Sequence, residues 1–403
     1  PYLSFGLRGT RSMDIQYKEY LRQTYGAAEY KLSYYVLFMQ RGIEMLVKGG
    51  KLSFIIPDSF LLGRYYSKIR RYIMENTAIE LIAQITSPVF KNASTGYSII
   101  CVFTKRSDSR CRMQQLVNIY QAEDAGALKK AEPLCYYEQN YFAGLPHQRF
   151  RIFFELSTKE LVDRIDKMST PLHNFASGHT GIRSVSRQND IVSTVCQGEK
   201  WRRGLVSGSQ LCRYYLEYKN HWLHIDPQLL YKGGWKSEII KQRKILIRQT
   251  GYMLTACIDN EGFYHLNNIH SFVLKNTNVT LDYLLLILNS RFMSFYYHVV
   301  SMEYGRSMAQ TDIETLELLP IIIHPKINQQ APELVKMMND CAVRGLVGDV
   351  ATKNKAEAFD EYLNQLVYRI YGLNDAEIAY VEQYETKLTN CQKPHKAGCL
   401  KKQ

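Results

Sequence analysis

The sequence predicts an α/β fold at its amino-terminal end, then a mixed α+β module and a helical close. Three observations carry this. A helical apolar pattern, Gly49-Gly50 and the apolar run Leu52 to Ile56, stopped by Pro57, form a helix–turn–strand unit. From Lys105 to Pro146 the composition turns polar and broken, which reads as a linker with short strands. Beyond it lie short strand patterns with glycine turns, and then helical periodicity from residue 354.

In the first region Tyr35, Phe38, Met39, Ile43, Leu46 and Val47 fall on one face at helical spacing. They predict a helix from Tyr30 to Gly49-Gly50, where glycine most easily supplies positive φ. Leu52 to Ile56 reads as a strand buried on both faces. Such units build doubly wound sheets, whose ligands bind at the carboxyl ends of the strands, and this places Pro57-Asp58 and Pro1-Tyr2 at a ligand site. Pro88-Val89-Phe90 and a strand from Tyr97 to Phe103 follow. On periodicity alone Phe38 is a core residue, Phe90 plugs a strand end, and Tyr2 has no special status.

Composition narrows the function classes. A chain of 403 residues can bury a sizeable core and should form more than one domain. Its nine cysteines include no Cys-x-x-Cys pair, which points to reduced thiols in a cytoplasm rather than to a zinc site or disulfide framework. No apolar run is long enough to span a bilayer, so no membrane partner is expected. A net charge of +13 suits a polyanionic partner.

The second region begins near Gln148. A helix is expected from Ser157 to Met168, with Ser157 and Glu160 as a capping box. Strands are expected at Gly178 to Arg183, Arg243 to Arg248, Leu254 to Ile258 and Phe263 to Leu266, the last two joined as a hairpin by Asp259-Asn260-Glu261-Gly262. A single helix should run from Leu281 to about Val299. Arg183, Arg187, Lys200, Arg202, Arg203, Lys232, Lys236 and Arg248 interleave with Trp201, Tyr231 and Trp235, the basic and aromatic mixture of a nucleic-acid face. About a third of these cations should touch the polyanion, the rest being solvated surface. His221 and His224 lack a third ligand in the pattern, and Glu217-Tyr218-Lys219 and Glu385-Thr386-Lys387 lack the second acid of a nuclease site, so no metal is expected. Finally, Asn354 to Tyr371 is a helix ended by Gly372, and Asn374 caps another through Val381.

These landmarks carry a resemblance. Pro1-Tyr2 looks like the end of the Asn-Pro-Pro-Tyr motif of amino-methylating DNA methyltransferases. With the helix before Gly49-Gly50, the strand ending Ile55-Ile56-Pro57, and Pro88-Val89-Phe90 before the next strand, residues 1 to about 105 resemble the second half of the catalytic domain of TaqI and Eco57I-like N6-adenine enzymes. Residues 148–325 resemble their target-recognition domain: the Gly178–Gly181 opening, Lys244-Ile245-Leu246-Ile247-Arg248, Phe263-Tyr264-His265-Leu266, Leu288-Asn289-Ser290-Arg291-Phe292 and Leu319-Pro320-Ile321.

The resemblance implies the second half of a Rossmann-like methyltransferase domain over 1–110, a linker over 111–147 and a target-recognition domain over 148–330. A helical tail over 331–390 and a disordered tail over 391–403 complete the expected organisation. It implies S-adenosylmethionine as cofactor and double-stranded DNA as substrate, with the target adenine flipped from the duplex. The exocyclic amine is a poor nucleophile, because its lone pair is delocalised into the ring. Hydrogen-bond acceptors and stacking faces are therefore needed around it. Pro1, Tyr2 and Phe90 match the catalytic positions, Tyr2 and Phe90 as stacking residues, and Phe38 and Pro57 match the cofactor side. Arg183, Arg187, Lys200, Trp201, Arg202, Arg203, Lys232 and Arg248 are the candidates for DNA contact. The family's upstream motifs precede Pro1, so the chain as given is expected not to methylate alone and to partner its own amino-terminal half. The alternative expectation is a non-catalytic DNA-binding specificity subunit.

Overall fold

Asp14 caps the helix α1 (Ile15–Thr24) by accepting the Tyr17 N–H at 3.3 Å. The computed structural model describes residues 14–29, 32–90, 97–303, 310–347 and 350–391. They divide between two units, Pro1–Glu160 and Leu161–Gln403. Pro1, Tyr2 and residues 392–403 of the tail expected to be disordered lie outside the described residues, while Cys391 still belongs to a helix.

The helix α2 (Tyr34–Met45) stops short of the glycines. Gly49, at φ +82°, and Gly50 instead shape the turn into β1 (Lys51–Pro57). That turn is fastened to the sheet: the Gly49 N–H donates to Lys105 O, and the Lys105 N–H to Gly50 O, both at 2.9 Å. Nor does α2 bury the expected face. Tyr35, Val36, Leu37, Met39, Gln40 and Ile43 are buried, while Phe38 is 55% exposed. The helix packs on the helix Ser67–Asn76 as well as on β1, which rotates its buried arc away from Phe38.

Four further strands complete the first sheet: β2 (Thr77–Ile85), β3 (Ser98–Lys105), β4 (Leu116–Ala122) and β5 (Cys135–Glu138). The order is β1-β3-β2-β4-β5, with β3 antiparallel to both β1 and β2, and β4 parallel to β2. Two expectations change here. The segment expected as a linker with short strands over 111–147 belongs to the sheet instead: it supplies β4 and β5, and in β4 Val117 and Ile119 alternate inward. And β1, expected to be buried on both faces, buries only Ile56 among its residues, because it is the end strand of the described sheet.

Arg70 fastens the loops at one end of this unit. Its buried guanidinium donates to Phe60 O at 2.6 Å and to Gly63, His147 and Gln148 O at 2.9 Å. Burial pulls its pKa down to about 9, with the Arg149 charge adding to the effect.

The second unit contains two four-stranded sheets. One runs Tyr264–His265, Trp201–Leu205, Trp222–His224, Val192–Ser193; the other runs Ala256–Asp259, Lys244–Arg248, Ile269–Leu274, Ala176–Thr180. Leu205 of the first meets Leu246, Cys257 and Ile269 of the second in a common core with Leu211 and Phe263. The expected hairpin at 259–262 is therefore a crossover: Ala256–Asp259 and Tyr264–His265 belong to different sheets. Asp259 holds that crossover. Its buried carboxylate accepts the Glu261, Gly262 and Phe263 N–H groups at 2.8–3.0 Å and pairs with buried Lys244 at 2.5 Å.

Gly181 has a steric reason in the same region. The Ile182 N–H donates to His265 O at 2.9 Å, and a Cβ on Gly181 would lie 1.9 Å from Leu266 O. The helix Leu156–Met168 includes Ser157 rather than being capped by it.

The helix expected through Asn289 is two helices, Leu281–Leu288 and Arg291–Ser301. Asn289 turns aside to clasp the Ala256 backbone, accepting its N–H at 2.9 Å and donating to its carbonyl at 3.0 Å. Ser290 then caps the next helix by accepting the Met293 N–H at 3.1 Å. A short helix, Ile313–Glu317, and then three longer ones follow, Pro325–Val347, Val350–Ile370 and Asp375–Cys391, the last three forming the expected helical tail and starting at Pro325 rather than 331. Gly372, at φ +59°, ends the second of these three, and Asn374 caps the third reciprocally with Glu377.

Candidate functional site

The register of the first sheet brings Pro57-Asp58 and the segment bearing Phe90 to one end. Pro57 and Ile85 both pair with Ser98, so the carboxyl ends of β1 and β2 meet at the start of β3. The segment bearing Phe90 leaves from this end, and Phe90 is 44% exposed. Asp58 shapes the same corner: its N–H donates to Tyr97 O at 3.0 Å, and its carboxylate accepts the Tyr97 N–H at 3.3 Å.

Phe38 approaches from α2. Gly42 lies against Leu52 near the start of β1, and Lys105 Nζ donates to Ile43 O at 3.1 Å. The later part of α2 thus sits at the amino end of β1, and Phe38, one turn earlier, is nearer its carboxyl end. Phe38 also borders a cleft of ≈ 350 Å³ between α1 and α2, lined by Tyr17, Leu21, Tyr25, Tyr34 and Arg41 among others. Sequence reasoning missed this cleft; the tyrosine-dense stretch from Tyr17 to Tyr35 was the available signal.

In the second unit most of the expected contact residues have structural partners. Trp201 is 9% exposed and stacks on His224 with ring centroids 4.9 Å apart, which also accounts for one member of the His-x-x-His spacing. Lys200 pairs with Asp226, and Arg202 donates to Glu199 O and Trp201 O. Arg203 pairs with Glu261 at 2.6 Å and lies over the Tyr218 and Phe263 rings. Arg248 donates to Gly208 O at 2.8 Å and to Leu211 O. The Arg187 guanidinium lies 3.9 Å from Asp190, its one carboxylate neighbour among the described residues, and Arg183 and Lys232 stay exposed. Among the described residues no group of three His, Cys, Asp or Glu could hold a metal, and no described helix is long and apolar enough to cross a membrane.

An α/β sheet with exposed Phe90 beyond the carboxyl end of β2 and exposed Phe38 on α2, followed in the chain by a two-sheet module with exposed cations, has matches among known proteins. Residues 1–90 match the family model of the Eco57I restriction-modification methylase, and residues 203–321 match the TaqI-like C-terminal specificity domain. The two matches follow one another in the chain, the Eco57I-type segment first and the TaqI-like specificity domain second. It is 25% identical over 390 residues to a Methanocaldococcus jannaschii protein described as a type II restriction enzyme and methyltransferase, RM.MjaORFECS2P; the match covers 89% of this chain and 31% of that one. It is 36% identical over 90 residues to the type II methyltransferase M.BstVI of Geobacillus stearothermophilus, over 22% of this chain and 16% of that one. The chain therefore spans less than a third of either relative's length. In fold it resembles the type IIL restriction-modification enzyme MmeI, solved in complex with DNA, with a TM-score of 0.56, 12% identity and coverage of 94% of this chain and 56% of that one.

Proposed function

We propose that this chain is the target-recognition part, and the second half of the catalytic domain, of a site-specific DNA adenine-N6 methyltransferase in a restriction–modification system. One observation carries the reading: a methylase-type sheet with Phe38 and Phe90 exposed precedes a specificity domain in the same chain. S-adenosylmethionine would supply the methyl group. The residues present fit one wall of its site, because Phe38 offers an aromatic face to a purine ring and Pro57 ends β1 half-buried. On the substrate side Phe90 and Tyr2 would hold the flipped adenine by stacking, and the motif that Pro1 and Tyr2 close would accept a bond from its amine. The second unit binds the duplex and positions the target base.

The test is methyl transfer from labelled S-adenosylmethionine to unmethylated bacterial DNA by the full-length protein carrying this chain, with the modified base identified. The expected product is N6-methyladenine at one recurring sequence. N4-methylcytosine would overturn the choice of base. DNA binding without transfer would instead leave a specificity subunit.

A further inference from the structure

The described cations between residues 180 and 240 divide sharply. Lys200, Arg203, Arg213 and Lys219 each have a carboxylate within 3.3 Å, Arg202 is held by backbone carbonyls, and the Arg187 guanidinium lies 3.9 Å from Asp190. Arg183, Lys232 and Lys236 are exposed, and none has a carboxylate partner among the described residues. These three belong to two segments that the fold fastens together. The Tyr231 N–H donates to Arg183 O at 2.8 Å, the Val185 N–H donates to Leu229 O at 3.0 Å, and Ser184 bridges Leu230. Trp235 Nε1 ties the far end to Thr180 O at 2.6 Å.

Two more features mark this lip. Val185, 59% exposed, and Tyr231, 41% exposed, stand between the cations although a large apolar core lies close behind them. The backbone then takes three left-handed residues in succession, Lys232 at φ +56°, Gly233 at +75° and Gly234 at +77°. Lysine there is unfavourable, and its ammonium lies 5.6 Å over the Tyr231 ring. A strained, pinned loop that exposes apolar side chains among uncommitted cations is built for an external polyanion with apolar faces.

Resting on the reading above, we propose that the joined segments 183–187 and 229–236 form the lip that reads the DNA sequence. Tyr231 and Val185 make apolar contact with bases, while Arg183, Lys232 and Lys236 contact base edges and phosphates. Duplex DNA fits because one surface there offers both kinds of contact: charge for the backbone and an aromatic and an aliphatic group for base faces or a thymine methyl. The committed cations Lys200, Arg203 and Arg248 are then architectural and contribute little to selectivity.

The test uses the full chain and a pool of duplexes with a randomised centre, from which bound sequences are selected and then titrated against salt. Tyr231→Ala and Arg183→Ala should each reduce the preference for the selected sequence about ten-fold or more. Tyr231→Phe, which keeps the ring, should retain it. Lys232→Ala and Lys236→Ala should each lower the salt slope by about 1, whereas Lys200→Ala should leave both readouts near wild type. Unchanged selectivity in Tyr231→Ala and Arg183→Ala, or a Lys200→Ala loss as large as theirs, overturns the lip while wild-type binding leaves the methyltransferase reading standing. No selection of any sequence by the wild-type chain overturns both.

Discussion

The two units differ in what they leave at the surface and in the kind of charge they bury. The first buries the Arg70 guanidinium on backbone carbonyls, and the second an ion pair. The first leaves aromatic groups outside: Phe38 and Phe90 stay exposed around a sheet whose end strand β1 is only half covered. In the second, Lys244 and Asp259 are fully buried, and Arg248 and Arg213 are spent on backbone carbonyls and Asp360. Burying a Phe side chain is worth about 1.5–3 kcal/mol, so an exposed one is a stability forgone. Burying an ion pair gains little net stability but makes loss of one partner costly. Exposure thus marks surface available to ligands in the first unit, and burial of charge marks architecture in the second.

The contrast can be broken most forcefully at Asp259. Asp259→Ala strands Lys244 and three N–H donors and should cost about 3–5 kcal/mol. All three tryptophans, Trp201, Trp222 and Trp235, lie in the second unit, so urea unfolding followed by tryptophan fluorescence reads the loss there. A cost below about 1 kcal/mol would mean that the pair is not architectural. Gly181→Ala should cost about 3 kcal/mol by the same readout, because its methyl group meets the Leu266 carbonyl and the two segments must separate.

The second unit also buries neutral histidines, which gives its stability a sign with pH. Burial lowers the His298 pKa from 6.5 to about 4 and that of His265 to about 3. Between those values and 6.5 the unfolded chain binds more protons than the folded one, so stability is complete above pH 6.5 and falls as the solution is acidified. His298→Gln should remove on the order of 3 kcal/mol of that slope between pH 6.5 and 4; an unchanged slope in urea midpoints across that range would reject the assignment. The smallest effect on stability belongs to the first unit. Phe38→Ser should shift its unfolding by no more than about 0.5 kcal/mol by circular dichroism, yet weaken S-adenosylmethionine binding by the full-length protein. A loss of several kcal/mol would return Phe38 to the core.

Much of the fold was legible locally. Gly372 and Asn374 announced the end of one helix and the start of the next, and Lys244–Arg248 was plain as a strand from its own residues. Short strands were legible in the polar segment after Lys105, but their place in the first sheet was not, because Asn118 and Gln121 read as a polar connector until β2 supplies the ladder. The candidate site was legible by motif order more than by chemistry. Phe38, Pro57, Phe90 and Tyr231 all stand out in the sequence, whereas the cleft between α1 and α2 does not.

By itself the sequence determined the order of its parts, because glycines, caps and apolar periods act within a few residues of where they stand. The tertiary structure decided which charges are free. Arg183 and Arg248 are alike in sequence, and only long-range packing sends one guanidinium to the Gly208 and Leu211 carbonyls and leaves the other at the surface. The same packing turned a predicted hairpin at Asp259 into a crossover between sheets, because strand partners are chosen by contacts across the whole unit and not by the turn that joins two neighbours.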